Sequence, residues 1–244
     1  MKVVLETIPL WDALKENTEC PICTLMKKAE EDSIAYYLSS AIMTPEVRVE
    51  TNRYGFCPVH SVMLTTRGNP QSLALTMDTY YGENEEHFRK GFEEIAKAKN
   101  PRSVEKAAIK LKEEAEKREK GCLVCSRMTD RLYRYCYTLS SLFESDEEFR
   151  KAFLNSKGLC LHHTFLVSET AKDSLRGDSY TTFQKELFAL LEKNLSRVRH
   201  DDWWMTQKYK SENQDKPWNG AEDAHRRAVL KLVGEGRVID PVTK

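Results

Sequence analysis

Apolar residues along most of the chain recur with the period of an α-helix. Two stripes with a spacing near 3.6 residues are especially clear, one in residues 128–143 and one in residues 183–198. Their members are Met128, Leu132, Tyr135, Cys136, Leu139, Leu142 and Phe143 in the first stripe, and Phe183, Leu187, Leu190, Leu191, Leu195 and Val198 in the second. No segment shows a convincing alternation of apolar and polar residues, which is typical of a strand. The pattern therefore predicts an all-α protein.

Cap and turn signals divide this helical pattern into elements. Thr44 followed by Pro45, and the Ser-Asp-Glu-Glu segment at residues 145–148, are typical of the start of a helix. Gly55 and Gly158 predict turns that end these short helices. Each glycine is followed by a Cys-x-x-His motif, where the start of another helix is expected.

Two stretches of the chain match each other at four places, in the same order and about 100 residues apart. The matched segments are residues 20–23 and 122–125, 38–40 and 139–141, 44–46 and 145–147, and 57–60 and 160–163. Four matches in one order are not expected by chance. We therefore predict a tandem duplicated helical unit, with a first copy in residues 1–101 and a second in residues 102–200. Residues 201–244 are expected to form a C-terminal helical extension that packs on the core.

The charge of the chain is balanced, with 38 basic and 38 acidic residues among 244. A net charge of zero disfavours a nucleic-acid-binding protein, whose surface is usually basic. The N-terminus lacks the apolar stretch of a secretory signal, because Glu6, Pro9, Asp12 and Lys15 interrupt it. No window approaches the roughly 18 to 20 apolar residues of a membrane span. We expect a cytoplasmic protein that binds neither nucleic acid nor a membrane.

Six of the seven cysteines lie in the matched segments, where each copy has a Cys-x-x-Cys motif and a later Cys-x-x-His motif. In a reducing compartment such spacings more often bind a metal than form disulfides. We predict one Cys3His metal site in each copy. The first would contain Cys20, Cys23, Cys57 and His60, and the second Cys122, Cys125, Cys160 and His163. One composite site between the copies is the alternative.

Zinc is the expected metal, with two ions per chain, because three thiolates and one imidazole form a closed tetrahedral set whose role is usually structural. An iron–sulfur cluster is the alternative, although most such clusters use four cysteines. It would indicate electron transfer or a cluster-dependent enzyme. The seventh cysteine, Cys136, lies on an apolar helical stripe and is expected to be a core thiol.

Catalytic signatures are missing from the sequence, which contains none of the zinc-protease, nucleophile-elbow, Walker or dinucleotide-binding motifs. Thioredoxin-like chemistry would need a βαβ context that the chain lacks. An enzyme that works in a groove between the copies, lined by His162 or Trp203, stays open. A thiol-based redox or metal sensor also stays open, in which Cys20 and Cys23 would form a disulfide on oxidation.

The sequence also resembles a known family. Its motifs are IPLxDAL at residues 8–14, CPIC at residues 20–23, GFCxxH at residues 55–60 and GLCLxH at residues 158–163. They are similar to those of an uncharacterised bacterial domain of unknown function, found mainly in Firmicutes. Members are sometimes labelled as substrate-binding proteins of ABC transporters, but the missing export signal and the missing α/β alternation argue against that role here. The resemblance implies a helical cytoplasmic protein of unknown activity.

The predicted function is metal binding in support of an interaction or regulatory role. It is based on the repeated ligand motifs and on the missing catalytic motifs. The expected partner is an unknown protein or a small molecule, and the prediction leans away from an enzyme.

Overall fold

The computed structural model describes residues 6–119 and 121–235 of the chain. These residues form eleven α-helices and two short 3₁₀ turns, at Ser40–Met43 and Ser211–Asn213, and no strand occurs among them. The helices are α1 (Thr7–Lys15), α2 (Pro21–Tyr37), α3 (Pro45–Tyr54), α4 (Pro58–Thr66), α5 (Pro70–Lys97), α6 (Pro101–Glu119), α7 (Leu123–Ser145), α8 (Glu147–Asn155), α9 (Leu161–Ser174), α10 (Gly177–Lys208) and α11 (Ala224–Val233). None of them is both long and apolar enough to cross a membrane. The predicted all-α fold is confirmed.

Local sequence explains where the short helices begin and end. Pro45 lies in the first turn of α3, and Asp146 caps α8 by accepting hydrogen bonds from two backbone N–H groups at 3.0 Å. Helix α7 runs on through Ser145, so within the Ser-Asp-Glu-Glu segment the N-cap of α8 is Asp146 and not Ser145. Gly55 after α3 and Gly158 after α8 have φ angles of 62° and 66°, which L side chains rarely adopt. The predicted turns are therefore present at both glycines.

The chain divides into two compact units, of which one consists of residues 29–128. In this unit α5 packs against α3, α4 and α6, and the first 3₁₀ turn packs against α3 and α5. Its buried apolar side chains include Ile34, Ile42, Leu64 and Val124. Helix α5 is therefore the element around which this unit is assembled.

The other unit combines residues 1–28 with residues 129–244, of which 6–28 and 129–235 are described. Helix α10 packs against α8, α9 and α11, and α1 packs against α8. The rings of Phe143 and Phe183 meet edge to face with their centroids 4.8 Å apart, and both side chains are buried. Helix α10 is thus the centre of the core of this unit.

The order of the helices recurs along the chain. A helix that starts at a Cys-x-x-Cys motif is followed by a short helix, a glycine turn, a helix that starts at a Cys-x-x-His motif and then a long helix. This order holds for α2–α5 and again for α7–α10. The compact units do not coincide with the two sequence copies. The tandem duplication and its boundaries at residues 101 and 200 stay a prediction.

The C-terminal part of the chain contributes the last turns of α10, which ends at Lys208, and helix α11. Helix α11 packs against α9 and α10 with Ala224, Arg227 and Lys231 buried. Residues 236–244 of the predicted extension lie outside the described residues. The described part of the extension therefore covers its own unit through one face of α11.

Candidate metal centres

The eight predicted ligands lie in two buried clusters. Cluster A contains Cys20, Cys23, Cys160 and His163, and cluster B contains Cys57, His60, Cys122 and Cys125. Within each cluster the four potential ligand atoms all lie within 4.8 Å of one another. All seven cysteines of the chain are free thiols. Each cluster is therefore a set of four donors that could hold a metal ion.

The pairing of the motifs differs from the expected one. We expected one site from Cys20, Cys23, Cys57 and His60, and another from Cys122, Cys125, Cys160 and His163. That grouping is wrong, because each cluster joins the Cys-x-x-Cys motif of one sequence copy to the Cys-x-x-His motif of the other. The alternative was one composite site between the copies; the donor sets are composite in this sense, but there are two of them.

The helices of the outward and return paths differ in length within each copy. Helix α2 has 17 residues and rises about 25 Å, whereas α3 in the return path has 10 residues and rises only about 15 Å. Helix α7 has 23 residues and rises about 34 Å, whereas the returning α8 has 9 residues and rises about 13 Å. The expected grouping assumed a partly extended return. The return in each copy is helical rather than extended, and each Cys-x-x-His motif meets the Cys-x-x-Cys motif of the other copy instead.

In cluster A the imidazole lies close to all three sulfurs. His163 Nδ1 is 3.4 Å from the Sγ atoms of Cys20, Cys23 and Cys160, and the Sγ atoms of Cys23 and Cys160 are 3.9 Å apart. The Sγ atom of Cys160 also accepts a hydrogen bond from the backbone N–H of His163 at 3.4 Å. Cluster A is therefore one compact set of donors within a single unit.

Cluster B has nearly the same dimensions. His60 Nδ1 is 3.2 Å from the Sγ atoms of Cys57 and Cys122 and 3.4 Å from that of Cys125. The Sγ atoms of Cys57 and Cys125 are 4.0 Å apart. The two clusters thus present the same donors with the same spacing.

Both clusters are built at the N-termini of helices. Cys57 precedes α4 and Cys160 precedes α9 with almost identical backbone angles, φ of −71° and −69° and ψ of 163°. The histidine three residues later then lies in the first turn of the helix. Cys23 and Cys125 lie in the first turns of α2 and α7. The positive end of a helix favours the thiolate form of a cysteine, which is the form that binds a metal.

The spacing of the donor atoms fits one tetrahedral ion. With about 2.3 Å from zinc to sulfur and about 2.0 Å from zinc to nitrogen, the tetrahedron has edges of about 3.8 Å between sulfurs and about 3.5 Å between sulfur and nitrogen. The corresponding distances are 3.9 and 4.0 Å between sulfurs, and 3.2 to 3.4 Å between sulfur and nitrogen. The residues therefore fit a single four-coordinate ion without rearrangement of the backbone.

Each cluster favours an ionised sulfur. In cluster B a hydrogen bond with Cys125 lowers the pKa of Cys122 to about 3, with burial opposing the change and His60 adding to it. Burial lowers the pKa of His60, but hydrogen bonds with Cys122 and Glu30 outweigh it and raise the pKa to about 9. In cluster A burial opposes the thiolate, yet hydrogen bonds with the other two thiols and the charge of the histidine lower the pKa of Cys20 well below its ordinary value. An ionised sulfur is the form that a metal needs.

A buried carboxylate lies behind cluster B. Glu30 on α2 is completely buried, and its Oε1 atom is 3.2 Å from His60 Nε2. A carboxylate at Nε2 keeps a proton on that nitrogen, so that Nδ1 is free to bind a metal and the ring is held in one orientation. Glu30 was not predicted from the sequence, since nothing in its local pattern links it to a histidine 30 residues later.

A different set of charges lies behind cluster A. Glu19 pairs with Lys231 of α11 at 3.1 Å and with Arg197 of α10 at 2.6 Å. His163 Nε2 is buried and has no hydrogen-bond partner among the described residues. Lys231 and Arg197 were not predicted from the sequence, where the only local signal is that Glu19 directly precedes the ligand Cys20. The two clusters therefore share their ligands but differ in their neighbours.

Three further candidates from the sequence are outside the clusters. Cys136 is 1% exposed, and burial raises the pKa of its thiol to about 12, so it is a core thiol. His162 is half-buried, and its ring meets the ring of the ligand His163 edge to face with centroids 5.5 Å apart. Trp203 is half-exposed, and its ring lies beside that of Trp204. None of the three supplies a donor atom to either cluster.

A cavity of about 360 Å³ lies in the unit of residues 29–128. Its walls come from α3, α4, α5 and α6 and include Phe56, Leu64 and Met77. Its lining contains no charged side chain, and neither His162 nor Trp203 is part of it. This cavity therefore gives no support to an active site lined by His162 or Trp203.

The fold and the two donor sets define a helical protein with a pair of buried Cys3His clusters. The chain belongs to a family of unknown function, DUF6062, whose sequence model matches residues 1–238. The predicted membership of an uncharacterised domain family is confirmed. No curated protein and no solved structure matches the chain.

Proposed function

We propose that the protein binds two zinc ions, one in cluster A and one in cluster B, and that these ions stabilise the fold for an interaction or regulatory role. The observation that carries the proposal is the compactness of both donor sets, in which all four ligand atoms lie within 4.8 Å of one another. Cys3His is a usual ligand set for structural zinc.

The same compactness favours zinc over an iron–sulfur cluster. Such a cluster attaches its cysteines to different irons, so its ligand atoms lie farther apart than those around one ion. In cluster A all three sulfurs lie 3.4 Å from one imidazole nitrogen, which is the geometry of ligands around a common centre. Iron–sulfur clusters also use four cysteines more often than three cysteines and a histidine.

A structural role is favoured over catalysis because four protein ligands complete the coordination of zinc. A catalytic zinc keeps one position open for water or substrate. Cluster A joins Cys20 to His163, residues that are 143 positions apart, and cluster B joins Cys57 to Cys125 across 68 positions. Each ion would therefore cross-link distant segments of its own unit.

The proposed interaction or regulatory role follows from the kind of metal site that the two clusters would form. A saturated and buried metal site offers no chemistry of its own, and the chain has none of the common catalytic motifs. The proposed partner is a protein or a small molecule. The proposed location is the cytoplasm, where reducing conditions keep the cysteines available as metal ligands.

Metal analysis of protein purified without oxygen tests the proposal. We expect two zinc ions per chain and no absorption in the visible range. Cys160→Ala and Cys57→Ala should each bind one ion fewer. Cys136→Ala is the matched control and should keep both ions, because Cys136 is buried but contributes to neither cluster.

Three results would contradict the proposed function. Brown protein that contains iron and sulfide would indicate electron transfer or a cluster-dependent enzyme. Low zinc content with a reversible disulfide between Cys20 and Cys23 would indicate a redox or metal sensor. Metal binding itself would be refuted if the purified protein contained no metal, kept its thiols free and melted at the same temperature with and without added zinc.

A further inference from the structure

Lys231, on the C-terminal helix α11, is completely buried. A lysine ammonium group has three N–H donors and is rarely buried unless these are paired. Its Nζ atom donates hydrogen bonds to the backbone carbonyls of Glu19 at 2.6 Å, Lys157 at 2.7 Å and Leu159 at 3.3 Å. It also lies 3.1 Å from the Glu19 carboxylate. All donors of this side chain are therefore used within its own unit.

The carbonyls that Lys231 contacts belong to the two loops that carry Cys20 and Cys160 of cluster A and lead into α2 and α9. Glu19 directly precedes Cys20, and Leu159 directly precedes Cys160. One side chain of α11 thus connects the loop before α2 to the loop before α9. The positions of the ligand sulfurs depend on these loops, because a cysteine side chain is too short to compensate for a displaced backbone.

We propose that metal in cluster A and the docked position of helix α11 stabilise each other through Lys231. The inference rests on the proposed function, since it requires cluster A to hold an ion. Coupling of this kind is reciprocal, so whatever strengthens docking of the helix strengthens metal binding by the same factor. Loss of the ion would weaken the docking of α11 and expose more of the surfaces where it packs against α9 and α10. Occupancy of cluster A then regulates a surface of the protein.

Lys208 provides a matched control in the same unit. It is 7% exposed, and its Nζ atom also donates to two backbone carbonyls, those of Asn213 and Gln214. These carbonyls lie in the turn after α10, and neither adjoins a ligand of cluster A. Lys208→Met therefore removes a buried ammonium of the same kind without touching the ligand loops.

The first test compares Lys231→Met with Lys208→Met in zinc-loaded protein. A chelator is added together with a thiol-alkylating reagent, and peptide mass spectrometry follows which cysteines react. We expect Lys231→Met to speed alkylation of Cys20, Cys23 and Cys160 by about 10- to 100-fold, the range typical of lost outer contacts at metal sites. The cysteines of cluster B should react at the wild-type rate in both variants, and Lys208→Met should leave cluster A at the wild-type rate.

The second test uses the wild-type protein, so it tests the coupling between cluster A and α11 even if Lys231→Met does not fold. Hydrogen exchange is measured in residues 224–233 while a chelator removes the ions stepwise. We expect exchange in α11 to rise together with alkylation of the cluster A thiols. Exchange in α5, which belongs to the other unit, should not follow that step.

The outcomes separate this inference from the proposed function. The inference would be overturned if the cluster A thiols were alkylated at the same rate in Lys231→Met and Lys208→Met. It would also be overturned if hydrogen exchange in α11 did not change when the metal is removed. Neither result would contradict zinc binding. Faster alkylation of both clusters in Lys231→Met would also count against it, because that pattern reports general loss of stability. Wild-type protein that binds no metal would refute the proposed function itself.

Discussion

Clusters A and B have the same ligand types but are supported by different neighbours. In cluster B the buried Glu30 carboxylate lies 3.2 Å from His60 Nε2. In cluster A His163 Nε2 has no hydrogen-bond partner among the described residues, and Lys231 instead holds the backbone of both ligand loops. Cluster B is thus supported through its histidine, and cluster A through its backbone.

This difference shows that identical ligands do not make two sites equivalent. A carboxylate behind a ligand imidazole orients the ring and makes it a better donor. In cluster A the backbone before the ligands is held by Lys231, so this support depends on the position of the C-terminal helix α11. We therefore expect the ion in cluster B to exchange slowly and the ion in cluster A to depend on the docking of α11.

Loss of a ligand is expected to have the largest effect. Cys160→Ala should weaken metal binding in cluster A, and Cys57→Ala in cluster B, enough to lose one ion per chain, because water is a much weaker ligand than the thiolate it replaces. Zinc stoichiometry and thermal unfolding check this, and the melting temperature should fall most strongly in these variants. If either substitution released both ions, the two clusters would have to be treated as one cooperative site.

Neutralising Glu19 is expected to affect the unit of cluster A only. Glu19→Gln leaves the fully buried Lys231 without its carboxylate partner, a change that typically costs about 3 to 5 kcal/mol. The free energy of unfolding and the alkylation rates of the cluster A thiols measure the effect. Glu86→Gln, at an exposed pair with Lys90, is the control and should change neither quantity. Unchanged alkylation in Glu19→Gln would show that the Lys231 carbonyl contacts suffice.

Neutralising Glu30 should lower the zinc affinity of cluster B. Glu30→Gln keeps the size of the side chain but removes the negative charge behind His60. We expect zinc affinity in cluster B to fall by about 10- to 100-fold. Chelator competition with site-resolved alkylation measures it, with cluster A of the same variant as the internal control. Retained affinity would mean that the carboxylate only fills space.

Removal of a helix cap should change stability without changing metal retention. Asp146→Ala deletes the two hydrogen bonds at the start of α8, which is expected to cost about 1 kcal/mol. This helix belongs to the unit of cluster A but carries none of its ligands. Denaturant unfolding should show the loss, and alkylation of cluster A should keep its wild-type rate. A parallel rise in alkylation would indicate that cluster A merely follows the stability of its unit.

Much of the candidate site was readable from the sequence because its motifs are local. Cys57 and His60, or Cys20 and Cys23, are separated by two residues, so each pair lies within one turn at a helix start. The amphipathic period and the cap residues are equally local, and they predicted the all-α fold correctly. Cys136 was separable from the ligands because it lies on an apolar stripe, and it is buried in the core.

The pairing of the motifs could not be read in the same way. It depends on whether the chain between two motifs returns as an extended segment or as a helix, and α3 and α8 are helical. Glu30 and Lys231 were missed for a related reason. Lys231 meets Glu19 across 212 positions, and no local pattern records such a contact.

The sequence by itself determined the helices, the eight candidate ligands and their division into four short motifs, because these depend on interactions within one or two turns. Only the tertiary structure decided which motifs meet, that Glu30 lies behind His60, and that Lys231 fastens the ligand loops of cluster A. The physical reason is that helix lengths and core packing set distances between residues far apart in the chain. Two sets of the same ligands thereby acquired different surroundings.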